Sequence, residues 1–104
     1  YQDHRNISSE APEFELNAIT IKNEFASNSL ASEKKYLNKT VAILGEVSDS
    51  SDKEITLNSS VFCQLIDSLK EPLKMDSQIK IKGRVIGYDD LLEQVKLDQC
   101  IIIN

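Results

Sequence analysis

A small, mostly-β barrel behind one N-terminal helix is the fold class this sequence predicts. Three observations lead there. Between Leu37 and Asn104, five runs alternate apolar and polar residues, the period that sends successive side chains to opposite faces of a strand. Glycines sit inside the first and fourth runs, at Gly45 and Gly83, where a small barrel bends its strands. A segment of helical period, ending in Lys34-Lys35-Tyr36, leads straight into them. Five short strands after a helix fit a five-stranded Greek-key barrel of the OB type, a scaffold that binds more often than it catalyses.

With 104 residues the chain makes one domain, placed at 14–104. Residues 1–13 are polar, aperiodic and contain Pro12, and they read as a flexible lead-in. Phe14 to Ala18 fits neither period. From Thr20 the spacing turns helical: Ile21, Phe25, Leu30 and Tyr36 lie near one stripe, and a single helix is expected over about 20–36. Thr20 is the expected N-cap, because its hydroxyl can accept from an orphan amide of the first turn. Lys34 and Lys35 suit the negative end of the helix dipole.

The barrel is expected over about 39–103. Its first strand carries Val41, Ile43, Gly45 and Val47 on one face, with a bulge or sharp bend at Gly45. Asp49-Ser50-Ser51-Asp52 is a turn. Ile55 and Leu57 face inward on the second strand, and Val61, Cys63 and Leu65 on the third. Residues 68–76, broken by Pro72, form a connector too interrupted for a helix. Ile79, Ile81, Gly83 and Val85 form the inner side of the fourth strand, with Lys80, Lys82 and Arg84 opposite. Val95, Leu97 and Ile101–Ile103 form the fifth, and the alternation slips between Leu97 and Cys100, which predicts a bulge there. The expected core is Phe25, Val41, Ile43, Val47, Ile55, Leu57, Val61, Leu65, Ile79, Ile81, Val85, Val95, Leu97 and Ile101.

Net charge is −5, and the barrel segment shares the deficit, with seven basic against eleven acidic side chains after Thr40. That balance opposes binding to polyanions. No apolar run is long enough to span a membrane as a helix. The first residue is Tyr1 rather than Met, which suggests a processed chain with a signal or anchor removed.

The order and spacing of several residues resemble the tRNA-anticodon-binding-like OB-fold family of small bacterial cell-envelope proteins, many of them classed as lipoproteins. Tyr36, Lys39, Gly45 and Val47 carry the likeness at the start of the barrel. Cys63, Lys82-Gly83, Gly87, Val95-Lys96-Leu97 and Cys100 carry it further on, and Asn23-Glu24-Phe25 and Asn28 fit the family's leading helix. The likeness covers about residues 20–103. It implies the fold, an envelope location and the cysteine pair, and it supplies no catalytic residues. Val85 and Ile86 depart from it, standing where many relatives have a small polar residue or cysteine.

In an OB barrel the third strand pairs with the fifth, so Cys63 and Cys100 can lie side by side. Two readings stay open: a cross-strand disulfide, worth roughly 3–4 kcal/mol in the loop-entropy account, or two buried free thiols acting as small hydrophobes. Their spacing matches no zinc or redox motif. His4, the single histidine, lies in the lead-in and reads as a solvated side chain. The acidic turns at 49–52 and 89–90 lack the alternating ligands of a calcium loop and read as turn chemistry. No cofactor or metal is expected, and no nucleophile–base set occurs.

Lys80, Lys82 and Arg84, joined by Lys96, make the best electrostatic case for single-stranded nucleic acid, which needs aromatic platforms beside such a stripe. The surrounding carboxylates favour a solvated face with cross-strand ion pairs instead. The expected function is therefore a non-catalytic binding module of the cell envelope for a protein, peptide, glycan or small molecule. The alternatives are a nucleic-acid binder and an assembly subunit. The expected binding surface is the outer face of the second and third strands with the 49–52 and 87–92 loops, represented by Phe62, Gln64, Lys82, Arg84 and Tyr88.

Overall fold

The computed structural model describes residues 9–71 and 73–103. Six strands and two helices follow in the order β1 (Phe14–Asn17), α1 (Ala18–Ser27), α2 (Ser29–Tyr36), β2 (Thr40–Ser50), β3 (Glu54–Leu57), β4 (Val61–Leu65), β5 (Gln78–Asp89) and β6 (Gln94–Ile102). The sheet runs β1-β2-β3-β4-β6-β5, and β5 returns to pair with β2, closing β2–β6 into a barrel. β4 and β6 are parallel, while β2–β3, β3–β4, β5–β6 and β2–β5 are antiparallel. This is the OB arrangement the sequence predicts, with its helices at the N-terminal end.

β2 makes closure possible because it is long enough for two jobs. Thr40–Glu46 pair with Arg84–Gln78 of β5, and Val47–Ser50 pair with β3. β1 is an element the sequence did not reveal. It lies parallel to β2, with Phe14 opposite Val41 and Leu16 opposite Ile43, and it fills the edge of β2 that β3 leaves free. Apolar Phe14 and Leu16 pack on the core, while Glu15 and Asn17 face out.

The expected single helix is two. α1 begins at Ala18, two residues before the expected start, with Asn17 rather than Thr20 at its N-cap. Asn28 ends α1 through its own N–H to the Glu24 carbonyl and restarts the chain as α2, its side chain accepting from Ala31 N at 3.1 Å. A short polar side chain that caps its neighbour's amide competes with helix continuation, which explains the break. Leu30, expected on the buried stripe, is exposed as a result.

The lead-in is also more engaged than expected. His4 lies outside the described residues, but Glu10 accepts from Thr40 Oγ1 at 2.5 Å, and Glu13 N donates to the Thr40 carbonyl. The bulge in β2 falls between Val47 and Asp49 rather than at Gly45. The slip in β6 lies where the alternation predicts, and Gln99 takes a positive φ of 51° there.

Twelve of the fourteen expected core residues are buried; Ile79 and Ile101 are half-buried. The slip explains Ile101, because it turns Cys100 inward in its place. Ala18, Ile21, Tyr36, Cys63 and Cys100 complete the core. Tyr36 joins helix to barrel: its ring meets Phe14 edge-on, with centroids 4.9 Å apart, and its hydroxyl donates to Glu24 at 2.8 Å.

Burial pushes the Tyr36 phenol above its ordinary value, and the bond to Glu24 adds to the rise. A folded-state pKa above the unfolded one means that the folded state holds the proton more tightly. The resulting stability is complete below the unfolded phenol pKa, about 10, and is lost as pH rises through the folded value. The melting temperature should therefore fall as pH climbs beyond about 10. Tyr36→Phe should flatten that fall and cost about 1 kcal/mol at neutral pH for the lost hydrogen bond, measured by urea unfolding across pH.

Candidate binding face

The outward side chains of β4, β6, β5, β2 and β1 form one continuous wall around the barrel. Register sets its rows. Phe62 lies opposite Lys96, and Arg84 lies opposite Asp98 on one side and Thr40 on the other. Lys82 lies between Ile101 and Ala42, and Lys80 is opposite Leu44. β1 adds Glu15 beside Ala42 and Asn17 beside Leu44.

Lys80, Lys82 and Arg84 of the expected basic stripe each have an anionic or carbonyl partner. Arg84 grips Asp98 with two bonds, Nε to Oδ1 at 2.9 Å and Nη2 to Oδ2 at 2.6 Å, both side chains being largely covered. Such a bidentate pair fixes geometry as well as charge. Lys82 is buried, and its ammonium donates to the Glu10 carbonyl at 2.9 Å. Lys80 pairs with Glu15 at 3.6 Å, and Lys39 with Glu13 at 3.9 Å. The N-terminal segment thus lays its carboxylates and a carbonyl along the basic side of β5.

Of the five residues expected to bind, four lie on this wall and one does not. Phe62 is half-buried under Lys96, whose Nζ stands 4.5 Å from the ring centroid in cation–π geometry. Gln64 is exposed beside Glu54. Lys82 and Arg84 lie on the wall, bonded to the Glu10 carbonyl and to Asp98 as described. Tyr88 turns away from the wall and stacks on Phe25 of α1, with centroids 5.3 Å apart and planes 18° from parallel. A register shift between Val85 and Gly87 causes this, because a one-residue slip sends every later side chain to the other face.

The loops at the ends of these strands differ in character. Ser51–Lys53 is tight, closed by Ser51 N to the Glu54 carbonyl at 2.8 Å. The β5–β6 turn projects two leucines that sequence reasoning passed over: Leu91 is 91% exposed and Leu92 59%. Asp89 organises that turn, its Oδ1 accepting from Leu91 N at 2.9 Å and Leu92 N at 3.1 Å. Glu93, beyond the tip, is tied to Lys22 of α1 at 3.4 Å. Adjacent leucines between Asp-Asp and Glu were the signal for this feature, since a turn has no face in which to bury them. The carboxylates of Asp49 and Asp89 both cap backbone amides, as turn chemistry requires.

Cys63 and Cys100 are free thiols, both fully buried. Leu97 lies opposite Cys63 and Cys100 opposite Leu65, and Cys100 Sγ donates to the Asp98 carbonyl at 3.5 Å. The neighbouring Cys63 thiol, then burial, raises the Cys100 thiol well above its ordinary range. Gly83 makes room for it: a Cβ there would collide with Cys100 Sγ. Among the described residues no three His, Cys, Asp or Glu side chains group as a metal site, and no helix is long and apolar enough to cross a membrane.

Neither the protein-family models nor the curated proteins compared with this chain match it.

Buried, protonated thiols are poor nucleophiles. Under non-reducing conditions the folded protein should react with Ellman's reagent far more slowly than free cysteine, and both thiols should react at once in denaturant. Prompt reaction of a native thiol would place at least one of them at the surface, and no reaction after unfolding would mean a disulfide.

Proposed function

We propose that this chain is a non-catalytic binding module of the bacterial cell envelope, engaging a protein or peptide through the Phe62–Lys96 wall and the β5–β6 turn. The observation that carries the reading is the fate of the cations. Lys39, Lys80, Lys82 and Arg84 are all held within the chain, and Lys96 is drawn over Phe62. A polyanion binder needs such groups available to phosphate, because neutralised phosphates and released counterions supply most of its affinity. What the surface offers in their place is a pair of exposed leucines on an organised turn near a half-covered aromatic ring. Aromatic and large aliphatic groups held in place before contact are the usual anchors of protein interfaces. The envelope location rests on the family resemblance.

Two measurements test the reading together. Fluorescence anisotropy with labelled single-stranded RNA and DNA at about 50 mM salt should show no binding in the micromolar range. Affinity capture from an envelope extract should retain a partner that Leu91→Ser/Leu92→Ser and Phe62→Ala variants lose. Micromolar RNA or DNA binding that collapses at about 200 mM salt would overturn the reading, and so would capture indifferent to these substitutions.

A further inference from the structure

The two short helices form a polar shelf away from the barrel wall. α1 carries two stripes. Ala18, Ile21 and Phe25 are buried. Thr20, Asn23, Glu24 and Ser27 stand at i, i+3, i+4 and i+7, which puts them together on another face. Asn28, between the helices, extends that face, and Ser32 meets it from α2, one turn before the buried Tyr36. These six residues line a depression of about 490 Å³, within the size range of ligand clefts.

Threonine, asparagine and serine are poor helix formers. Helix stability therefore does not explain why Thr20, Asn23 and Ser27 occupy one face of a ten-residue helix. Glu24 carries the shelf's one charge, and it is engaged: its Oε1 accepts from Tyr36 Oη at 2.8 Å and from Lys35 Nζ at 3.5 Å. Ser32 points to a ligand. It is only 5% exposed, yet its hydroxyl has no hydrogen-bond partner among the described residues. Nor is that hydroxyl sealed off, because Ser50 Oγ is the one fully occluded side-chain polar atom without a partner among the described residues. The remaining exposure of Ser32 opens on the shelf it lines. A polar group so deeply covered and unpaired is uncommon in a folded protein.

We propose that the α1–α2 shelf binds a neutral carbohydrate. Hydroxyls donate and accept, and so do carboxamides, which suits them to the vicinal hydroxyls or acetamido group of a sugar. Asn28 Oδ1 already accepts from Ala31 N, so Asn28 offers its NH2 as donor. None of the six residues is cationic, so a phosphate or carboxylate ligand finds no opposite charge among them. None has a large apolar side chain against which a peptide's could pack. The site shares no residue with the Phe62–Lys96 wall or the β5–β6 turn and does not rest on the protein-partner reading. The shelf is shallow and leaves much of a ligand in water, so binding is weak.

Titration of the 15N-labelled protein with chitotriose and with maltotriose, from about 0.1 to about 20 mM, covers weak sugar binding. Saturable shifts at the amides of Asn23, Ser27, Asn28 and Ser32 are expected with at least one of them, unchanged by added salt. Ser32→Ala should weaken that binding about fivefold, the loss of one neutral hydrogen bond. It should not lower the melting temperature, since it breaks no internal bond and alanine favours the helix. Asn23→Ala should weaken binding by a similar factor, and Leu91→Ser should leave it unchanged. The absence of saturable shifts with both sugars would overturn the proposal. Binding indifferent to Ser32→Ala would overturn the assignment to this shelf. Saturable shifts of the same amides with N-acetyl-trialanine amide and not with the sugars would make it a peptide site and overturn the carbohydrate class.

Discussion

Close approach at Gly45 is the constraint on which the barrel depends. Here β2 leaves β5, at Glu46 opposite Gln78, and takes up β3, at Val47 opposite Leu57. Three elements converge at the changeover. A Cβ on Gly45 would stand 2.6 Å from Asn58 Oδ1, 3.0 Å from Leu57 Cβ and 3.2 Å from Ala18 Cβ. Asn58 itself is held in the left-handed region, at φ 52°, while its side chain accepts from Glu46 N at 3.0 Å. Without a side chain at position 45, the β3–β4 turn and the start of α1 can both close against β2. Closure then follows, because β3 leads to β4, β4 to β6, and β6 to β5, which returns to β2.

Once closed, the barrel has charge to arrange on its outside. An acidic chain places Lys80 and Lys82 on β5, with Lys39 just before β2, and answers them with β1 and the residues just before it. Glu10, Glu13 and Glu15 belong to no barrel strand, yet they meet Lys82, Lys39 and Lys80. The exposed members of this set contribute little to stability individually. In the function proposed above their larger effect is to occupy cations that a phosphate chain would need. The face that remains is apolar and aromatic in its prominent features, and that directs the functional reading toward protein partners.

Much of the barrel was legible because a half-buried strand writes its inner face into the sequence at every second position. Val41, Ile43 and Val47, or Val61, Cys63 and Leu65, point inward as their alternation says. The slip between Leu97 and Cys100 was visible for the same reason. β1 was not legible, because four residues after Pro12 give too short a record of period two. The break at Asn28 was hidden because residues on both sides are helical, and only the side-chain cap distinguishes two helices from one. At the candidate site the losses have a common cause. Arg84 with Asp98, Lys82 with Glu10, and Tyr88 with Phe25 are set by register between distant segments, and no spacing along the chain encodes that. The bulge that inverts Tyr88 leaves no gap in the hydrophobic pattern, since Ile86 and Gly87 are neutral to it.

Urea unfolding of Gly45→Ala, alone and combined with Asn58→Gly, tests the central constraint most directly. If convergence at Gly45 holds the barrel closed, the added methyl should cost about 1–3 kcal/mol, as overpacking of a filled site does. Measured against Asn58→Gly as its own reference, the same methyl should cost clearly less, because the nearest atom it meets is gone and glycine accepts the positive φ. An alanine tolerated within about 0.5 kcal/mol, the range of ordinary surface substitutions, would contradict the account, and so would a cost unchanged when Asn58 is removed.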